Sequence, residues 1–161
     1  MEITYRNYRP ADRSQLEKYA RSLVEYAAET NPLRLPTPKS GYEKLYLDWI
    51  ESKLLTGKAV FLVAEADGKI AGYTFGYIDE HATEERLEYK DEKVGYIEDF
   101  YINDDYRGQG IGTELLTRIE GAFKAMGCVV LTLHTSTMRP AHGFYQKHGL
   151  KDFIVKMYKE I

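Results

Sequence analysis

The chain has 161 residues, 43% of them hydrophobic and 29% charged, and a formal net charge of −3. This length and composition predict one globular domain over residues 1–161, and the acidic balance argues against a nucleic-acid partner. A single cysteine, Cys128, leaves no intramolecular disulfide. The first ten residues lack the apolar core of a signal peptide, and no apolar run approaches the length of a membrane span. We therefore expect a cytoplasmic protein without a membrane partner.

The N-terminal half is predicted as a strand, two helices and a hairpin. Alternation over residues 2–8 indicates a short strand, and apolar residues at helical spacing indicate helices over residues 12–29 and 42–57. Three of the five prolines lie between these helices and indicate a loop. Two β-rich runs flank the dipeptide Asp67-Gly68, which predicts a tight hairpin.

The C-terminal half begins with a charged segment, which we expect to be a solvated insertion. The elements that follow are a strand, a helix with one apolar stripe that ends at Gly127, a short apolar strand expected to be central and covered on both faces, a short helix and a closing strand. The charged segment covers residues 80–93. The strand covers residues 94–102, the helix 111–126, the apolar strand 128–135, the short helix 139–149 and the closing strand 151–161.

This order predicts the α/β (α+β) class, with a mixed, mostly antiparallel central sheet and helices on both faces. Residues 94–133 form a strand, loop, helix and strand, which is typical of a right-handed crossover between parallel strands. The loop of this unit is rich in glycine and lies at the carboxyl end of the first strand. Ligands tend to bind at that place in open α/β sheets.

The glycine-rich loop, "DYRGQGIGTELL" over residues 105–116, fits no common nucleotide motif. A Walker loop needs Gly-Lys followed by Ser or Thr, but Gly112 precedes Thr113 and Glu114. The dinucleotide fingerprint needs a third glycine at Thr113. The kinase loop joins two strands, whereas this loop opens a helix. Glycine amides, a helix N-terminus and a nearby arginine nevertheless predict binding of a diphosphate.

Two motifs in the chain resemble the GNAT superfamily of N-acetyltransferases. The stretch Arg107–Gly112 matches the family's R/Q-x-x-G-x-G/A loop, and a later segment matches A-x-x-x-Y-x-x-x-G-[FL] at Ala141, Tyr145, Gly149 and Leu150. The strand "IEDFYI" and the element order also agree with the family. Met138 stands where many members have asparagine. Methionine lacks the amide group with which asparagine would hydrogen-bond to the pantetheine arm. Asp104 and Asp105 occupy a region where a proline is common.

The resemblance implies acetyl-CoA as co-substrate, a primary amine of a small molecule or peptide as acceptor, no metal, and compatibility with a homodimer. The loop would hold the pyrophosphate of the coenzyme, and the backbone of the preceding strand would pair with the pantetheine arm like an added strand. The residues expected to bind it are Phe100, Tyr101, Ile102, Arg107, Gly108, Gln109, Gly110, Ile111, Gly112 and Thr113.

The reaction implied by the family requires a base for the ammonium and an acid for the thiolate. Glu98 and Asp99 are adjacent on the strand that leads to the loop, so only one can face the cleft unless a bulge intervenes. Our choice is Glu98, with Asp99 or water as the alternatives. The resemblance offers Tyr145 as the general acid. A non-catalytic acyl-CoA sensor of the same fold is the alternative function.

Overall fold

The computed structural model describes residues 2–31, 33, 37–80 and 90–159. The predicted proline-rich loop lies partly, and the charged insertion mostly, outside the described residues. The elements, in chain order, are β1 (Ile3–Asn7), α1 (Arg13–Thr30), α2 (Tyr42–Leu55), β2 (Ala59–Ala66), β3 (Lys69–Asp79), β4 (Lys93–Ile102), α3 (Ile111–Ala125), β5 (Cys128–Leu133) and α4 (Pro140–Lys147).

The five strands form one sheet in the order β1-β2-β3-β4-β5. All neighbours pair antiparallel except β4 and β5, which are parallel. The predicted mixed sheet and the crossover through α3 are therefore confirmed. Asp67 and Gly68 connect β2 to β3 with φ values of 50° and 76°, as expected for a two-residue turn that suits twisted strands.

Helices cover both faces of the sheet, as predicted. On one face, Leu16 and Ala20 of α1 and Leu47 and Ile50 of α2 are buried against β2 and β3. On the other face, α3 buries its apolar stripe, which consists of Ile111, Leu115, Leu116, Ile119 and Phe123. No helix among the described residues is long and apolar enough to cross a bilayer.

The register between β3 and β4 shifts by one residue near the middle of the sheet. Phe75 lies opposite Asp99 and Gly76 lies opposite Ile97, so Glu98 is the additional residue of a bulge. Glycine in β3 allows the strands to approach closely here, because a Cβ atom at Gly76 would lie 2.5 Å from the carbonyl oxygen of Tyr96.

Two predictions at the C-terminal end of the sheet are wrong. The strand expected to be central, β5, is the edge strand, and Val129 and Val130 are 61% and 50% exposed. Residues 151–159, expected to form a closing strand, have no regular secondary structure, and residues 160–161 lie outside the described part. An apolar run does not reveal its place in the sheet, and an alternating segment forms a strand only beside a partner that completes its hydrogen bonds.

We expect Gly95→Ala to destabilise the protein by about 1–3 kcal/mol. A Cβ atom at Gly95 of β4 would lie 2.7 Å from the ring of Phe123. The matched control is Gly121→Ala in α3, where the added Cβ meets open space and should stabilise the helix by about 0.5–1 kcal/mol. Urea unfolding measures both variants, and equal effects would contradict this account of the packing.

Candidate active site

The edge of β4 becomes free where β4 and β5 stop pairing, and we refer to the region beside this edge as the cleft. The last pair in register is Ile97 opposite Leu133, while β4 continues to Ile102. Beyond this pair, the described residues of β4 have a strand neighbour on the β3 side only. Phe144 and Tyr145 of α4 contact Phe100 of β4 here, with ring centroids 5.7 and 6.0 Å apart. The free edge of β4 and α4 thus form two walls of the cleft.

The glycine-rich loop lies at the end of this cleft. Gly108 and Gly110 have φ values of 75° and 82°, a conformation that favours glycine. The helix α3 starts directly after Gly110, and no side chain caps its N-terminus. Glu114 donates the first helical hydrogen bond, to the carbonyl oxygen of Gly110 at 3.1 Å. The amides before Glu114 therefore present a positive helix end that suits an anion.

The side chains of the loop connect it to β4 and α4. The Nε of Arg107 donates to the carbonyl oxygen of Ile102 at 3.2 Å, and its Nη2 lies 2.6 Å from the Asp104 carboxylate. The hydroxyl of Thr113 lies 3.0 Å from Nε2 of His148, which directly follows α4. These contacts hold the loop next to the free edge of β4, and Asp104 pairs with the charge of Arg107.

Gly112, at the start of α3, lies close to two aromatic rings of the site. A Cβ atom at Gly112 would lie 3.4 Å from the Phe144 ring and 3.6 Å from the Phe100 ring. A larger residue at this position would project between α3 and the two rings. The amides at the start of α3, the glycines and the free edge of β4 together fit a linear ligand with a diphosphate at one end.

The bulge changes the expected orientation of the two acidic residues. Without it, Glu98 and Asp99 would face opposite sides of the sheet. In the structure both contact tyrosines of β3 on the α2 side: Tyr77 donates to Glu98 and Tyr73 donates to Asp99, each at 3.2 Å. The extra residue in β4 reverses the alternation and brings both carboxylates to one face.

Asp99 is buried, whereas Glu98 is exposed. Burial raises the pKa of Asp99 from its ordinary value near 4 to about 7. Hydrogen bonds from Tyr46 and Tyr73 oppose this rise, and the nearby charge of Glu98 adds to it. A carboxylate with a pKa near neutrality is well suited to accept a proton at pH 7.

Tyr145 lies in the cleft wall and is buried. Burial, followed by the charge of Asp99, raises its pKa above the ordinary value. Its phenol is therefore protonated at neutral pH and can donate a proton or a hydrogen bond. Tyr96 borders the same region, where its hydroxyl lies 3.0 Å from Nδ1 of His134 after β5.

An aromatic wall extends from the acids toward α2. The ammonium of Lys53 lies 4.8 Å from the centre of the Tyr77 ring and 5.7 Å from that of Trp49. Tyr77 in turn donates to Glu98. The Lys53 ammonium therefore contacts the faces of these two rings through cation–π interactions.

Tyr46, Tyr73 and Tyr77 are partners of the acids that no sequence motif predicts. A chain with 14 tyrosines suits aromatic pocket walls in general, but this number points to no particular position. An isolated glycine within a strand, here Gly76, is the available signal for the bulge. Within the described ranges, no group of three or more histidine, cysteine, aspartate or glutamate residues is arranged to hold a metal ion.

Comparison with known proteins gives consistent results. The model of the "Acetyltransferase (GNAT) family" matches residues 16–150. An acetyltransferase of Sodalis glossinidius is 29% identical over 112 residues, which cover 70% of this chain and 62% of that protein. The match thus spans about three fifths of the length of this relative.

Solved structures share the fold over nearly the whole chain. A predicted acetyltransferase from Clostridium acetobutylicum, determined with acetyl-CoA, superimposes with a TM-score of 0.76 and 21% identity, covering 99% of this chain and 96% of that one. A GCN5-related N-acetyltransferase from Ralstonia eutropha gives a TM-score of 0.74 and 22% identity, covering 99% of each chain. At these identities, the likeness concerns the fold.

We expect Asp99→Asn to change how stability depends on pH. The raised pKa means that the folded protein binds this proton more tightly than the unfolded chain. The contribution of Asp99 to stability is therefore complete below about pH 4 and is lost as the pH rises to about 7. The wild type should thus lose free energy of unfolding across this range relative to the Asp99→Asn variant.

Urea unfolding at intervals of half a pH unit measures this difference, and Glu98→Gln is the control for removal of an exposed carboxylate. Parallel pH profiles for the wild type and the Asp99→Asn variant would show that Asp99 does not titrate in this way.

Proposed function

Because the chain belongs to the GNAT acetyltransferase family, we propose that it transfers the acetyl group of acetyl-CoA to a primary amine by direct attack in a ternary complex. The observation that carries this proposal is the position of Asp99. It is a buried carboxylate with a pKa of about 7, on the strand whose free edge leads to the glycine-rich loop. The proposed base lies on β4 and the proposed anion site lies in the loop that follows this strand, an arrangement that suits acyl transfer from a coenzyme thioester.

The loop and β4 bind the coenzyme in this proposal. Arg107 and the amides of Gln109 to Thr113 hold the diphosphate, and the backbone of Phe100 to Ile102 pairs with the pantetheine arm along the open edge of β4. The bound coenzyme supplies the activated acetyl group. Backbone amides at the bulge are suited to donate to the carbonyl oxygen, where negative charge develops.

The side chains then move two protons. Asp99 accepts a proton from the acceptor ammonium, which has an ordinary pKa of roughly 10.4 and is not nucleophilic while charged. As the new C–N bond forms and the C–S bond breaks, Tyr145 protonates the leaving sulfur. Tyr145 regains its proton from the nitrogen, which becomes an amide, and Asp99 releases its proton to solvent.

Glu98, our choice from the sequence, has a different role in this proposal. Its carboxylate is exposed beside Tyr77, so it can attract the cationic acceptor, while the buried Asp99 has the pKa of a base. Two carboxylates on one face favour a small cationic amine as acceptor. An anionic amine, such as a phosphorylated amino sugar, would meet repulsion from the same carboxylates.

We expect Gly110→Val to weaken acetyl-CoA binding by tenfold or more. Valine disfavours the φ of 82° at this position and should distort the amides that hold the diphosphate. The matched control is Gly57→Val, because Gly57 has a similar φ of 70° and a Cβ atom there also meets open space. Isothermal titration calorimetry with acetyl-CoA measures both variants. Unchanged affinity in the Gly110→Val variant, or no binding by the wild type, would contradict the proposed role of the loop.

We expect Asp99→Asn to lower kcat by about 10²–10⁴-fold without a comparable loss of acetyl-CoA affinity. The wild-type rate should rise with pH through about 7, since the base must be ionised. Release of free thiol in the presence of an amine panel measures turnover, with Glu98→Gln expected to raise KM more than it lowers kcat. If no amine supports thiol release although acetyl-CoA binds, the protein is not an N-acetyltransferase for these acceptors and the sensor alternative gains support.

The amine panel also tests the acceptor class. It includes a monoamine, a diamine, an amino sugar with and without a phosphate group, and a short peptide. The diamine and the amino sugar without a phosphate group should each give a higher kcat/KM than the phosphorylated amino sugar. A preference for the phosphorylated sugar would reject the cationic acceptor while leaving acetyl transfer in place.

A further inference from the structure

We propose that Arg139 is a positioning residue for acyl transfer, because its guanidinium fixes the C-terminal turn of α1 to the start of α4 and so holds the two sides of the cleft together. This role rests on the proposed function for its effect on turnover. The contact itself is also measurable in the unreacted protein, so failure of one proposal can be distinguished from failure of the other.

Arg139 directly precedes α4 and makes three contacts with α1. Its Nε donates to the hydroxyl oxygen of Thr30 at 2.9 Å, and its Nη2 donates to the carbonyl oxygen of Ala27 at 3.3 Å. Its guanidinium lies 5.5 Å from the centre of the Tyr26 ring. The hydrogen bonds join residues 109 and 112 positions apart in the sequence, so they fix the relative position of two distant elements.

The last turn of α1 favours a cationic partner. The last four carbonyl groups of a helix have no partner within the helix, and the helix dipole makes this end negative. Residues 27–30 contain no lysine or arginine, and Glu29 adds a further negative charge. Arg139 supplies a positive charge and a hydrogen bond to one of these carbonyl groups, and its planar fork serves two acceptors at once.

The contact joins helices that pack on the two faces of the sheet. The helix α1 packs with α2 on the face where Glu98 and Asp99 contact tyrosines. Phe144 of α4 packs instead against the cluster on the other face, which contains α3. Arg139 lies about 9 Å along the axis of α4 from Tyr145, whose ring borders the free edge of β4. The contact between α1 and α4 therefore lies beside the cleft.

The proposed base and acid depend on these two sides. Tyr46 of α2 donates to Asp99, and ion pairs tie α2 to α1. Tyr145, the proposed acid, lies on α4. Arg139 therefore completes a series of contacts that runs from the base through α2 and α1 to the helix of the acid. Small displacements of reacting groups cost large factors in rate, so loss of this link should slow acyl transfer.

We expect Arg139→Ala to lower kcat/KM for the amine by about tenfold or more, while the Kd of acetyl-CoA stays within about twofold of the wild type. Arg139→Lys keeps the charge but loses the planar fork, so it should recover only part of the activity. Thr30→Val removes one of the two acceptors and should give a smaller loss than Arg139→Ala. Thiol release with the best amine of the panel measures turnover, and calorimetry measures acetyl-CoA affinity.

The matched control is Arg118→Ala in α3. Arg118 also lies over a tyrosine ring, 4.8 Å from the centre of Tyr5, and forms an ion pair with Glu114. Tyr5 belongs to β1, which lies at the edge of the sheet opposite β5. This variant should therefore keep the turnover of the wild type.

Hydrogen exchange measures the contact without turnover. In the Arg139→Ala variant, the amides of residues 27–30 should exchange about threefold or more faster than in the wild type, because the last turn of α1 loses its cap and opens more often. The amides of α3 should exchange at the wild-type rate, since the contact does not involve that helix.

Equal exchange in the wild type and the Arg139→Ala variant would overturn the proposed contact. Faster exchange with an unchanged kcat/KM would overturn the positioning role and leave acetyl transfer in place. A parallel loss of turnover and of acetyl-CoA affinity would also overturn this role, because it would reflect a general effect on the fold. An inactive wild type would reject the proposed function, and the positioning role with it, whatever the exchange rates.

Discussion

The parallel pairing of β4 with β5 ends at Ile97 opposite Leu133, and the arrangement of the cleft depends on this point. Up to it, the two strands share hydrogen bonds and the core beneath them. Beyond it, the edge of β4 is free, and the rings of Phe144 and Tyr145 pack against Phe100. The loop that follows β4 then delivers the start of α3 to the same opening. One interruption in the sheet therefore leaves a free backbone edge beside the amides at the start of α3.

The glycines of the sheet explain why the sequence predicted the elements but not the orientation of the acids. Turn residues and helical spacing gave the hairpin and α3 correctly, because these signals are local. The bulge at Glu98 depends instead on how Gly76 and Gly95 let β3, β4 and Phe123 approach one another. That contact joins residues distant in sequence, and periodicity along one strand contains no information about it.

The same limitation applies at the end of the chain. Alternation over residues 151–161 is typical of a strand, and the apolar run in β5 is typical of a covered one. Both patterns indicate which side chains are suited to burial. Neither pattern indicates which other element would cover them. In the structure β5 lies at the edge of the sheet with Val129 and Val130 exposed, and the apolar side chains of residues 153–158 are exposed as well.

The buried carboxylate of Asp99 also makes the proposed catalyst sensitive to acidification. With a pKa of about 7, about half of the molecules hold an ionised base at pH 7 and about one tenth at pH 6. The rate would therefore fall as the proton concentration rises, without any additional regulatory domain. Tyr46 and Tyr73 set the midpoint of this response, since their hydrogen bonds lower the pKa that burial raises. Removal of either hydroxyl, as in Tyr46→Phe or Tyr73→Phe, would raise the pKa of Asp99 and shift the active pH range toward alkaline values.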